Sequence, residues 1–159
     1  MEGLAIERAI HDRYHAARRN PWNEVECGDH YARSMASYGV FVAACGFEYH
    51  GPKGYMAFAP RLTPEKFEAP FTAAEGWGKF RQHVDNGRLS AALDLKYGRL
   101  RLWSLSLTPR SGAVPVRVNG KLNGKDVQAR LSNRGGHAHL EFTSELHLQA
   151  GDRLTVMLS

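Results

Sequence analysis

Cysteine is scarce in this chain of 159 residues: Cys27 and Cys45 are the whole supply. Two thiols cannot build the disulfide framework of a small secreted domain. Both are read as reduced, partly buried groups. Long apolar runs are also missing, and none reaches the roughly 20 residues needed to span a bilayer. The opening Met1-Glu2-Gly3-Leu4-Ala5-Ile6-Glu7-Arg8 lacks the basic-then-apolar order of a secretion signal, so a cytoplasmic location is expected. There is no glycine-rich phosphate loop and no G-x-S-x-G nucleophile elbow. No strict repeat or low-complexity tract occurs. Disulfide-stapled peptides, helical membrane proteins, P-loop enzymes and serine hydrolases of the elbow type are thereby set aside.

What is present is enough apolar material for a core, 43% of the residues. The net charge of +5 is unevenly spread, close to neutral over 1–86 and strongly basic over 87–159. A basic half can mark a nucleic-acid partner. Here the arginines alternate with leucines, as in Arg99-Leu100-Arg101-Leu102, instead of clustering. That pattern reads as a solvated strand face, and no nucleic-acid partner is expected.

The periodicity changes along the chain. Ile6, Ile10 and Tyr14 recur at helical spacing and predict a helix from about Leu4 to Arg18, ended by Asn20-Pro21. A loop from Asn20 to Gly28 follows. Asp29 is a good N-cap for a second helix reaching Cys45, with Gly46 as its stop. Gly39 in its interior points to a close contact or a nearby ligand. From Gly54 onward strands take over. Gly54–Pro60, Phe67–Phe71 and Trp77–Gln82 are short candidates, followed by Leu89–Leu95 and Leu100–Leu107. Leu100 and Leu102 are out of phase with Leu105 and Leu107, which predicts a bulge near Trp103. Val114 to Val118, Val127 to Leu131, Ala138 to Phe142, Leu146 with Leu148, and Leu154 to Leu158 continue the alternation. Asn86-Gly87, Asn119-Gly120, Asn123-Gly124 and Gly151-Asp152 supply turns. The expected fold class is α+β. A helical pair occupies 1–50, a connecting segment with short strands 51–86, and an antiparallel sheet or small sandwich 87–159.

Chemistry concentrates at the loop between the helices. Glu24 in the loop and Arg33 early in the second helix reach the same mouth. A carboxylate accepts from vicinal hydroxyls and a guanidinium donates to ring oxygens, through charge-assisted bonds about twice as strong as neutral ones. That pairing suits a pyranose. The spacing is equally consistent with an ion pair that merely fixes the loop. Glu24 and Glu26 as a catalytic couple would need carboxyls about 5–5.5 Å apart across one glycosidic bond, and close neighbours on one strand seldom face each other that way. His30, His50, His83, His137 and His139 invite a metal reading, and His137 and His139 share a strand face. A third ligand at matching spacing is not evident. Neither a metal nor a cofactor is expected.

The run Arg19-Asn20-Pro21-Trp22-Asn23-Glu24-Val25-Glu26-Cys27-Gly28-Asp29-His30-Tyr31-Ala32-Arg33 resembles a segment near the C-terminal end of glycoside hydrolase family 116. That family holds non-lysosomal glucosylceramidases and bacterial β-glucosidases. The resemblance continues through Tyr38-Gly39-Val40-Phe41, Gly46-Phe47-Glu48-Tyr49 and Phe58-Ala59-Pro60. It implies that the helical pair closes an (α/α)6 barrel, and that Glu24 and Arg33 bind glucose in a retaining β-glucosidase. The catalytic carboxylates would lie upstream, outside this chain. The expected function is therefore a C-terminal fragment, inactive alone, with a β-glucoside and the remainder of the barrel as partners. An independent carbohydrate-binding β module, or a separately encoded subunit, is the alternative.

Overall fold

A computed structural model of the chain describes residues 2–12, 17, 33–109 and 114–159, with 33–37 described by backbone alone. The chain forms two compact units, Met1–Ala43 and Ala44–Ser159.

The first unit holds α1 (Glu2–His11) and most of α2 (Arg33–Cys45). α1 stops at His11, well short of Arg18. It buries none of its residues, and Ile6 is 63% exposed. An exposed pair, Arg8 Nε to Asp12 at 2.8 and 2.9 Å, sits at its end. α2 is described from Arg33 onward; the residues just before it, with the proposed cap Asp29, lie outside the described residues. Among the described residues nothing lies within 4 Å of a Cβ built on Gly39, so none of them makes the expected close contact there.

In the second unit Gly46 ends α2 as expected, in the left-handed conformation with φ +54. A Cβ there would stand 2.3 Å from the Ala59 carbonyl oxygen. Glycine thus lets the helix end close onto the chain beyond β2. The Ala59 N–H then reaches the carbonyls of Cys45 and Gly46, and the Arg61 N–H that of Ala44. These bonds satisfy carbonyls that a helix terminus leaves open.

The rest of the second unit is strand: β1 (Glu48–His50), β2 (Tyr55–Phe58), β3 (Lys66–Ala73), β4 (Gly76–Asp85), β5 (Arg88–Leu107), β6 (Val118–Leu122), β7 (Lys125–Val127), β8 (Ala129–Arg134), β9 (His137–Gln149) and β10 (Arg153–Leu158). β5 organises them. Its first half pairs with β4 and β10, and β10 pairs onward with β6. Its second half pairs with β2 and β9, and β9 pairs with β8. One long strand therefore serves two sheets. Their inner faces meet in a single core, where Phe58 of β2 stacks on Phe80 of β4 at 3.7 Å and 5°.

The expected fold class is overturned. The described residues are dominated by strand, with two helices that do not form the terminal hairpin of a barrel. The physical reason lies in burial. The large buried apolar side chains belong to alternating strand positions, whereas α1 buries nothing. The sheet that holds β2 is also mixed, not antiparallel, because β2 runs parallel to β5. Asn119-Gly120 is no turn. Both lie within β6, where Gly120 opposes Val127 and a Cβ would come within 3.0 Å of its methyl. Val114 and Val116 precede β6 and are exposed.

Candidate functional site

Of the two residues singled out in the sequence, Glu24 lies outside the described residues. Arg33 is the first residue of α2, and its side chain lies outside the description as well. The structure therefore neither joins nor separates them. His137 and His139 do share a strand face. The Nδ1 of each shares a hydrogen bond with a hydroxyl, His139 with Ser106 at 2.9 Å and His137 with Thr108 at 2.8 Å. Among the described residues no cluster of His, Cys, Asp or Glu is disposed to hold a metal.

A groove of about 1210 Å³ opens where β5, β9 and the β3–β4 turn meet. Tyr97, Arg99 and Arg101 of β5 line it with His147 and Gln149 of β9 and Glu75 of the turn. Two glycines bring the turn into place. Gly98 has φ +74, and a Cβ on it would stand 1.9 Å from the Glu75 carbonyl oxygen. A Cβ on Gly76 would be 2.5 Å from the Tyr97 carbonyl oxygen. Only bare backbone fits this crossing. It is closed by the Arg99 N–H donating to the Glu75 carbonyl at 3.0 Å.

The side chains follow from that placement. Arg99 Nη2 donates to Glu75 Oε1 at 2.5 Å. Arg101 donates to Glu145 Oε1 from Nε at 2.8 Å, and its Nη2 lies 2.6 Å from the same oxygen. His147 Nε2 lies 3.1 Å from the other Glu145 oxygen. Glu145 is the most sheltered member, its side chain 18% exposed. Hydrogen bonding from Arg101, and then its charge, holds the Glu145 carboxyl below the usual carboxylate range. The Arg99 hydrogen bond does the same to Glu75. Each arginine is raised in turn by its carboxylate.

Aromatic rings flank the groove. Tyr97 is 65% exposed and stands opposite the exposed Trp77 in the β4–β5 register. Trp103 is 42% exposed because the ladder shifts between Leu102 and Ser104. This is the bulge that the phase change predicts. The Trp103 N–H bonds at 2.7 Å to the carbonyl of Gly54, not to β9. Its side chain also hydrogen-bonds Glu145.

Such a surface can bind. A glycosidic acid needs a carboxyl held above its ordinary range. Among the described residues the carboxyls that shift, Glu75 and Glu145 at this groove and Glu68 and Asp152 elsewhere, all move downward. The alternation in the sequence places Arg99 and Arg101 on a solvated face, and both side chains are exposed there. Their carboxylate partners lie 24 and 44 positions away, where no local pattern could reveal them.

Comparison with known proteins returns little. No family model matches the chain, and no curated protein matches it. Among solved structures, the chain is similar to the α-L-rhamnosidase from Dictyoglumus thermophilum, with 10% identity and a TM-score of 0.41. The overlap covers 80% of this chain and spans 14% of the length of that one. That neighbour is a glycoside hydrolase, and nothing in it confirms family 116. So loose an overlap assigns neither fold family nor activity. No described helix is long and apolar enough to cross a membrane.

Proposed function

We propose that the strand-rich unit is a carbohydrate-binding module, working beside glycoside-hydrolase chemistry without performing it. The observation that carries this is the Arg101–Glu145 pair beside exposed Tyr97 and Trp103. A pyranose presents a C–H face that an aromatic ring covers, and a rim of hydroxyls that donate and accept. Arginine held by carboxylate offers its remaining donors in a fixed plane. Little side-chain freedom is left to lose when sugar binds. Titration of the chain with a panel of neutral oligosaccharides tests the proposal. Binding that is lost in Tyr97→Ala supports it. No binding across the panel rejects it.

A second reading rests on the run Arg19–Arg33 alone. It makes the chain part of a family 116-like β-glucosidase, with Glu24 and Arg33 holding glucose hydroxyls. In the assembled enzyme, Glu24→Gln or Arg33→Lys is then expected to cost about 1.5–3 kcal/mol of transition-state stabilisation. Melting should be unchanged. Lowered melting with normal kinetics per folded molecule would reduce the pair to a loop-fixing ion pair.

A further inference from the structure

We infer a second binding groove, on the outer face of the sheet formed by β3, β4, the first half of β5, β10 and β6, shaped for a single glycan chain bearing carboxylates. It extends the carbohydrate proposal but does not depend on the first groove. The groove measures about 870 Å³. Its floor is short: Ser90 and Ala92 on β5, the central strand. Its walls are long. His83 and Arg81 of β4 stand opposite Ser90 and Ala92 on one side, and Met157 and Thr155 of β10 on the other. Lys66 pairs outward from His83, and Lys121 outward from Thr155. Strands about 4.8 Å apart put the two walls roughly 10 Å from each other. That width takes one extended chain; a helix with its side chains needs about 10–12 Å and would not settle in.

The chemistry of the face selects among extended chains. The backbones of β4, β5 and β10 are paired on both sides here, so no free N–H or C=O points into the groove. A peptide lying on it would find no ladder for its own amides, which is what strand addition at a sheet edge supplies. Hydroxyls and carboxylates need only side-chain donors and acceptors, and those line the walls.

Charge then narrows the class. Lys66, Lys79, Arg81, Lys121 and Arg153 face three carboxylates, Glu68, Asp94 and Asp126. Asp94, 8% exposed, is already engaged by Arg81 and lies 3.4 Å from Arg153 Nε. Glu68 accepts from Lys79 at 2.7 Å. Lys66 has no ion-pair partner among the described residues, and Arg81 Nε is buried with no acceptor. The surplus is positive, and a chain of uronic-acid residues would answer it.

The full chain is to be titrated with a uronic-acid tetrasaccharide and with its neutral methyl ester. The acid form should bind at least about tenfold tighter, a difference of one charge-assisted contact, and should weaken as salt rises. Ser90→Leu fills the floor and should abolish binding with unchanged melting. Lys66→Glu, on an exposed side chain, should weaken it strongly even if Ser90→Leu fails to fold. Tyr97→Ala should leave it intact, which separates this site from the first groove. Equal binding of acid and ester, insensitivity to both variants, or no binding of the acid would overturn the inference. So would binding of a glutamate-rich peptide that matches the acid form and is equally lost in Ser90→Leu.

Discussion

Arg101 and Glu145 come from strands 44 positions apart in sequence, yet the guanidinium and carboxylate meet at 2.6 Å beside an exposed indole. The pair has a pH signature. The Glu145 carboxyl, like Glu75, is held below its ordinary range by its arginine. A carboxylate depressed in the folded state stabilises the fold above its unfolded pKa. It loses that contribution as pH falls through the lower, folded value. Melting should therefore be flat from neutral pH down to the ordinary carboxylate range, then fall below it. In Glu145→Gln the acid-side fall should be smaller. A fall of equal size in the variant would show that the pair does not report on stability.

Backbone crowding makes a sharper prediction. Gly98 and Gly87 both have positive φ, +74 and +77. Only Gly98 has a carbonyl in the way of a Cβ, whereas nothing lies within 4 Å at Gly87. Gly87→Ala should cost about 1–2 kcal/mol, the penalty of the left-handed region. Gly98→Ala should cost clearly more and displace Glu75 from Arg99. Thermal melts of the two variants decide this, and equal losses would refute the crossing as described.

The core is testable at Phe58, which stacks on Phe80 between the sheets and is fully buried. Phe58→Ala should destabilise by about 3–5 kcal/mol through lost burial and the cavity left behind. A loss under about 1 kcal/mol, measured by denaturant unfolding, would mean that the sheets do not share one core.

The chain is expected to show no turnover of a chromogenic β-glucoside. The described carboxyls that shift at the groove, Glu75 and Glu145, move the wrong way for an acid. Turnover surviving a contaminant control would restore Glu24 and Glu26 as candidates.

Much of the strand pattern was legible because side-chain alternation is local. The Leu100–Leu107 phase change located the bulge at Trp103, and Asn86-Gly87 and Asn123-Gly124 do turn with positive φ. Pairing was not legible. Nothing local says that β2 runs parallel to β5, or that one strand joins two sheets. The helical stripe of Ile6 and Ile10 does mark a helix, α1, but periodicity shows which face is apolar, not what covers it. The first groove was hidden for the same reason: its carboxylates arrive from distant turns and strands.

The central claim is tested most directly by measuring sugar affinity and melting on the same two variants, Tyr97→Ala and Arg101→Lys. Both side chains are exposed, so melting should move little. Affinity for the neutral oligosaccharide should fall by about tenfold or more in each, since lysine cannot reproduce the planar fork. Melting that falls in Arg101→Lys while affinity holds would contradict the account and leave the groove a structural ion-pair network.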